Sequence, residues 1–250
     1  MKRILISILL LSSILFAGGL PSWYYKIKNT SLQRNKFVEI MLPMIKKANK
    51  ITLKRREFVI NFFNKLEKKG FGGIDKSDLR RLVRISKIYN IKNLFDKDDY
   101  LLKIDKVPES LALTQAAIES AWGKSRFAIQ ADNLFGQWTY GAKGIIPQDR
   151  AEGKIHKIRI FNSLQASVDA YVNNLNSNRA YKNFRIQRYQ SRILDEKFSG
   201  VDAAQTMKKY SQLRDKYVQM IRKFMVKHKF LRYDTEEADK GEAQSLYAFN

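Results

Sequence analysis

The chain has 250 residues, 44% of them hydrophobic and 28% charged, with a formal net charge of +23 and no cysteine. That length suits one large domain or two small ones, and only 12 glycines and 4 prolines argue against a sheet-rich chain of many tight turns. The missing cysteines rule out a disulfide scaffold, and with only two histidines, His156 and His228, they argue against a zinc site.

The chain begins "MKRILISILLLSSILFAGGLPS". Lys2 and Arg3 precede a continuous apolar run from Ile4 to Phe16, and Ala17-Gly18-Gly19 supplies small residues in a cleavage-like pattern. This is the layout of an export signal over residues 1–19. An uncleaved anchor is the other reading, but the run is short for a span. No cysteine follows it, so a lipoprotein anchor is excluded. The expected location is the periplasm or cell envelope.

Residues 20–104 read as a helical N-terminal region. Asn35 to Lys50 carries Phe37, Val38, Met41, Met44 and Ile45 on one side, with Pro43 placed to kink or break it. Thr52 to Lys69 continues in helical period, and the glycines of "GFGG" at 70–73 stop it. A further helix is expected from Asp75 onward, with Leu79, Leu82, Val83, Ile85, Ile88 and Tyr89 at three-and-four spacing. These stripes are packing surfaces and carry no chemistry.

A soft boundary falls near Asp105, beyond which the upstream helices are still free to pack on the downstream core. Residues 105–234 form the second unit. It opens with a helix that is apolar nearly all round and carries Glu119, with Gly123 placed to end it. Lys143 to Ile160 contains Gly144, Pro147 and Gly153, then an alternation of Ile155, Lys157 and Arg159 against His156, Ile158 and Ile160, as a small hairpin would. Ser163 is an N-cap for a helix running to Tyr181, and Val201 to Lys229 reads as helix again. Residues 235–250, "TEEADKGEAQSLYAFN", reverse the charge balance and read as a loose tail.

Glu119 is the residue that asks for an explanation. Leu111, Leu113, Ala116, Ala117, Ile118 and Ala121 surround it in sequence. Burial and the negative end of the helix dipole both disfavour its charge and raise its pKa. Trp122, three residues on, is expected on the same surface, shutting out water. A carboxyl kept protonated near neutral pH is what a general acid needs, and protonating a glycosidic oxygen is a common task for one. A structural glutamate paired with Arg126 is the plainer alternative. Phe135, Trp138 and Tyr140 follow, interleaved with Asn133 and Gln137. Flat apolar faces beside amides suit sugar rings. Phe135 fits a core anchor better, whereas Trp138 and Tyr140 suit either role.

The stretch "ALTQAAIESAWGKSRFAIQADNLFGQW" (112–138) resembles the motif of the Bax-like bacterial glucosaminidases, close to the flagellar-muramidase type of N-acetylglucosaminidase in glycoside hydrolase family 73. The resemblance continues through "GIIPQDRAEGKIHKIRIFNSLQASVDAYVNNLNSNRAYKNFR", and upstream through "FVEIMLPMIKKANKITLKRR" and "IDKVPES". It covers most of the chain from about Lys36 to Tyr217. It implies a mainly α, lysozyme-like fold: a helical domain with a small β-lobe flanking a glycan cleft, preceded by the N-terminal helical region. It also implies hydrolysis of the β-1,4 bond after N-acetylglucosamine in peptidoglycan, without a cofactor.

Glu119 matches the family's catalytic glutamate. A second carboxylate from the β-lobe is implied, for which Glu152 is best placed and Asp149 next. The position after His156 is often acidic in Bax-like members and is Lys157 in this chain. "YSQLRDKY" resembles the tyrosine-bearing segment of the flagellar type, which makes Tyr210 a cleft residue and a further catalytic candidate. Trp122, Asn133, Gln137, Trp138, Tyr140 and Tyr171 are the substrate-binding candidates. The chain also departs from the pattern with Asp132 where Asn is usual, and without the cysteines often found at the positions of Thr139 and around Ala142.

The positive surface suits peptidoglycan, and an anionic membrane surface is a second partner. Nucleic acid is not expected for an exported chain, and a monomer is. Scattered lysines on ordinary solvated faces would produce the same charge. A lytic transglycosylase on the same fold and a non-catalytic wall-binding protein are the competing functions.

Overall fold

In the computed structural model, residues 18–148, 150 and 152–234 are described. The expectations for residues 1–17, for Asp149 and for the 235–250 tail lie outside them. The mainly α, lysozyme-like architecture expected from the resemblance holds. The helices are α1 (Ser22–Tyr25), α2 (Thr30–Lys69), α3 (Lys76–Tyr89), α4 (Lys97–Lys103), α5 (Glu109–Glu119), α6 (Arg126–Ala131), α7 (Leu164–Ser177), α8 (Lys182–Ile193), α9 (Gly200–Gln205) and α10 (Asp215–Lys227). Strands β1 (Trp138–Thr139) and β2 (Lys157–Ile158) lie between α6 and α7.

The long helix α2 runs through Pro43 without a break. Pro43 and Glu39, whose carbonyl loses its helical partner, are both exposed, so water can satisfy that carbonyl. The opposite face of α2 buries Phe37, Met41 and Ile45 in one core with Leu111 and Leu113 of α5 and Val168 of α7. The far half of α2 packs Val59, Phe62 and Phe63 against Leu82 of α3 and Tyr100 of α4 in a second cluster. Asn49 ties α2 to the lead-in of α5. Its amide nitrogen donates to the Val107 carbonyl at 2.8 Å and its amide oxygen accepts from the Val107 amide at 2.9 Å.

Helix α5 is the central element, and its two ends are held differently. At its start the Asp234 carboxylate accepts from the Ser110 amide at 2.9 Å and hydroxyl at 2.6 Å, and also from the Gly200 amide at the head of α9 at 2.9 Å. One carboxylate thus serves two helix N-termini, where negative charge is favourable. A side chain at position 200 is not tolerated, because a β-carbon there would lie 1.9 Å from the Ser110 hydroxyl oxygen. At its end the helix stops at Glu119, four residues before Gly123. The Trp122 amide bonds the Ala117 carbonyl at 2.8 Å and the Ala121 amide bonds the Ile118 carbonyl at 3.2 Å. This is a Schellman closure with Ala121, at φ 50°, where glycine is usual. A left-handed alanine costs about 1–2 kcal/mol.

The small lobe differs from the expected self-contained hairpin. Lys157 and Ile158 pair antiparallel with Thr139 and Trp138, outside the 143–160 stretch, while Ile145 adds a single bridge to Ile158. The expected helix from 201 to 229 is in fact two, α9 and α10. A short 3-10 turn at Met207–Lys209 and Arg214, at φ 46°, separate them. Sequence periodicity missed α8 because its buried face carries Arg185 and Arg188 beside Phe184.

Arg188 belongs to a charged knot at the base of the fold. Asp105, 2% exposed, is bonded by the Arg192 guanidinium and lies 3.7 Å from that of Arg56. Arg188 donates to the Asp105 carbonyl at 3.1 Å, the Lys106 carbonyl at 3.0 Å and the Asn176 side-chain oxygen at 2.8 Å. Burial alone would raise the Asp105 carboxyl, but Arg188, Arg192 and Arg56 outweigh it and hold it below the usual range. A depressed folded-state pKa gives stability that is present above the unfolded value and is lost as pH falls through the folded one. Asp105→Ala should therefore lower stability at neutral pH by about 3–5 kcal/mol, because it leaves buried guanidinium groups without their counter-charge. Asp105→Asn should flatten the acid limb of the stability–pH curve. Urea unfolding between pH 2 and 7 measures both.

Candidate active site

Glu119 is the last residue of α5 and is partly buried. The residues that orient it come from the same helix and from two later ones. The Tyr171 hydroxyl, on α7, donates to the Gln115 side-chain oxygen at 2.6 Å. The Gln115 amide nitrogen donates to the Tyr217 hydroxyl oxygen at 2.9 Å, and the Tyr217 hydroxyl donates to Glu119 Oε1 at 2.9 Å. Gln115 precedes Glu119 by four residues, one helical turn, so the two share a face of α5. Tyr217 sits in the first turn of α10.

Aromatic stacking holds this relay. Tyr171 stacks on Phe135 with ring centroids 4.0 Å apart and an 11° interplanar angle. Tyr210 stacks on Tyr217 at 5.5 Å and 11°, and its hydroxyl reaches the Phe135 carbonyl at 3.4 Å. Tyr181 leans against Tyr210 at 6.1 Å. Burial raises the hydroxyls of Tyr171, Tyr181, Tyr210 and Tyr217, Tyr181 to about 12, and the Glu119 charge adds to the rise in each. The carboxyl therefore sits among four neutral phenols. Burial also lifts the Glu119 carboxyl above its ordinary value, and the bond from Tyr217 pulls part of the way back.

The sequence candidates separate into distinct places. Trp138 is 55% exposed and stacks on His156, with centroids 4.0 Å apart and planes 20° apart; Tyr140 is 71% exposed. Both aromatic faces stand on the small lobe, open to a ligand. Phe135 is 4% exposed and is the core anchor expected. Asn133 is 1% exposed, and its side chain ties its own loop to the segment after β2. It donates to the Gln137 and Arg159 carbonyls, each at 2.8 Å, and accepts from the Gln137 amide at 2.9 Å. Gln137 likewise donates to the Ser167 carbonyl at 3.1 Å.

These two amides hold the loop between α6 and β1 in shape, Asn133 fully buried and Gln137 partly so. Tyr171, 1% exposed, is placed in the relay through its bond to Gln115. Trp122 does not share the helix surface of Glu119 as its spacing predicts, because α5 ends before it. With φ at 59° it leaves the helix and packs on Phe37 at 5.5 Å, Phe224 at 5.5 Å and His228 at 5.0 Å. Its place is the wall of a separate groove with Arg34, Val38, His228 and Tyr233.

Glu152 is exposed in the turn between Ile145 and β2, and Lys157 donates to the Ala142 carbonyl at 2.8 Å, bracing that lobe. Sequence reasoning missed Gln115, Tyr181 and Tyr217. A buried glutamine one turn ahead of a glutamate on an otherwise apolar helix was the available signal. Among the described residues no group of three His, Cys, Asp or Glu side chains gathers as a metal site would require, and no helix is long and apolar enough to cross a membrane.

The relay makes a testable statement about the carboxyl before any activity is measured. Tyr217→Phe removes the donor that stabilises the ionised form. In that variant the Glu119 carboxyl carbon, followed by NMR, should titrate at higher pH than in the unmodified protein. An unchanged or lower midpoint would contradict a hydrogen bond donated by Tyr217 to Glu119.

The glucosaminidase family, described as mannosyl-glycoprotein endo-beta-N-acetylglucosaminidase, matches residues 99–230. That span runs from α4 to the end of α10 and includes the relay and the small lobe. The chain is also 30% identical over 184 residues to Protein bax of Escherichia coli (strain K12), covering 72% of this chain and 64% of that relative. The chain thus spans less than two thirds of the relative's length. No solved structure matches it. With more than half of its length under the family match, the chain belongs to the glucosaminidase family, as a Bax-like member.

Proposed function

We propose that the protein hydrolyses the β-1,4 bond after N-acetylglucosamine in peptidoglycan, with Glu119 as the general acid. The observation that carries the reading is the Glu119 carboxyl itself, raised by burial and oriented through one oxygen by Tyr217. Because Oε1 accepts from Tyr217, the acid proton belongs on Oε2. From there it passes to the glycosidic oxygen as the bond to the anomeric carbon breaks. Water then adds to the anomeric carbon, supplies the new hydroxyl and gives its other proton to a carboxylate, which restores the proton that the acid has spent.

Trp138 and Tyr140 offer flat faces to the CH-rich sides of sugar rings. Glu152, on the exposed turn of the lobe, is the carboxylate that meets the developing positive charge or the attacking water once glycan fills the cleft. Tyr210 stacks on Tyr217 and keeps its ring in place. The net charge of +23 suits an anionic mesh, and the apolar start of the chain supports an envelope location.

Two measurements test the reading. Glu119→Gln keeps the side-chain size and removes the titrating proton. Its hydrolytic rate on purified peptidoglycan should fall by about two to four orders of magnitude, and Glu152→Gln should cost less. The same substitution should raise the melting temperature at alkaline pH. A carboxyl whose folded pKa lies above its unfolded value contributes stability that is lost as pH rises through the folded pKa. A Glu119→Gln variant with normal turnover would sink the assignment. For the bond and reaction type, digested peptidoglycan is reduced with borohydride and analysed by mass. Reducible N-acetylglucosamine ends are expected; 1,6-anhydromuramic ends, lighter by one water, would assign a transglycosylase instead.

A further inference from the structure

Three successive residues just after Glu119 are left-handed: Ala121 at φ 50°, Trp122 at φ 59° and Gly123 at φ 76°. For alanine and tryptophan that conformation is sterically unfavourable, so something must hold the turn. From within, Ser120 does so. Its hydroxyl donates to the Ala116 carbonyl at 2.6 Å and accepts from the Gly123 amide at 2.7 Å.

From outside, the turn is held by residues 18–25, about a hundred positions earlier in the chain. The Tyr24 hydroxyl donates to the Trp122 carbonyl at 2.7 Å, and the Tyr25 hydroxyl donates to the Gly123 carbonyl at 3.2 Å. The Leu20 amide donates to the Tyr25 hydroxyl oxygen at 2.9 Å, which orients it. The Gly19 amide donates to Asp132 Oδ1 at 2.6 Å, at the far end of α6. Leu20, 4% exposed, is seated directly on the turn, since a β-carbon added at Gly123 would lie 1.9 Å from its Cδ1. Tyr24 is fully buried, so its bond to Trp122 forms away from competing water.

We propose that residues 18–25 are a strap whose Leu20, Tyr24 and Tyr25 position Glu119 for catalysis by holding the left-handed turn at Ala121–Gly123 closed. The proposal rests on the reading of Glu119 as the acid. Glu119 is the last helical residue, and helix ends fray unless they are tied. The Ala117 and Ile118 carbonyls that flank it are satisfied only while Ala121 and Trp122 keep their left-handed geometry. Releasing the Trp122 and Gly123 carbonyls from the two phenols frees their peptide planes to turn, and the closing bonds are lost with them. The carboxyl then gains solvent and loses its fixed distance to Tyr217. The three strap anchors all lie beyond the small-residue stretch Ala17–Gly19, so they stay with the chain whether or not it is cut there.

The test uses the full chain with two kinds of variant: Leu20→Ala, and the pair Tyr24→Phe with Tyr25→Phe. The pair keeps both rings packed and so remains informative if Leu20→Ala fails to fold. Three quantities are read: hydrogen exchange at residues 117–125, kcat and KM on soluble glycan fragments, and the titration of the Glu119 carboxyl by NMR. The strap predicts faster exchange at Ala121–Lys124 and a fall in kcat of roughly ten- to a hundredfold, with little change in KM. Because burial is the larger influence on the carboxyl and the Tyr217 bond the smaller, it also predicts a midpoint displaced toward the ordinary value, so that activity is lost at lower pH than in the unmodified protein. Faster exchange with kcat and the carboxyl midpoint both unchanged would make the strap merely structural and overturn the proposal; unchanged exchange would overturn it too. If the unmodified protein cleaves no glycan, the reading of Glu119 as the acid fails. Exchange and the carboxyl titration then still decide whether the strap holds the turn.

Discussion

The site depends on a single directed chain of hydrogen bonds that ends on a partly buried carboxyl. Tyr171 is almost fully enclosed, and its hydroxyl has the Gln115 oxygen as its acceptor. That fixes which way the Gln115 amide faces, because an amide accepts only through oxygen and donates only through nitrogen. The nitrogen is then aimed at Tyr217 and occupies its hydroxyl oxygen, so the single Tyr217 proton must go to Glu119. A buried network of this kind is stable only when every member is satisfied. Changing the amide at position 115 to a carboxylate would invert the order: both phenols could donate to it, and Glu119 would lose its donor. The polarity of the site is therefore set at Gln115, two hydrogen bonds away from the Glu119 carboxyl.

The surrounding fold serves this chain by making α5 immobile at both ends. Its start is fixed by Asp234, which reaches back from the end of the described chain to the heads of α5 and α9. Its end is fixed by an uncommon left-handed closure, supported from within by Ser120 and from outside by the segment before α2. The charged knot at Asp105 plays the corresponding part at the base, joining α2, α8 and the lead-in to α5 through groups that would be costly to leave unpaired. Each device uses a buried polar group, which hydrophobic periodicity does not register.

That is also why the sequence was legible in some places and not in others. The face of α2, the helix start after Asp75, the Ser163 cap and the apolar helix of Glu119 follow from spacing and capping chemistry alone. Glu119 stood out because a single carboxylate on an apolar helix is physically unusual. Helix α8 did not, because arginines occupy the positions where a packed helix normally shows leucine. Tyr217 and Gln115 were missed because their meaning lies in a contact across 102 positions, which no local pattern encodes. Asn133 and Gln137 show the opposite case. Amides beside aromatics look like sugar-binding groups in sequence, but in the fold they also tie their loop together and to α7. Trp122 was placed by helical spacing on a helix that ends three residues before it.

The two sides of the site differ in how firmly they are built, and the chemistry explains the difference. A general acid must be held at one angle to one oxygen and must keep a raised pKa, so it belongs on a buried helix with locked ends. Groups that accept a long, variable polymer need reach and exposure instead. Trp138, Tyr140 and Glu152 stand on a lobe whose pairing is two residues per strand with one added bridge. Such a lobe is too small to be rigid by itself. It is braced by the bond from Lys157 to Ala142 and joined to the helical body through Asn133 and the Phe161 amide on the Ala131 carbonyl. On the proposed function, rigidity is thus concentrated where the proton would be transferred, and compliance where the glycan would be admitted.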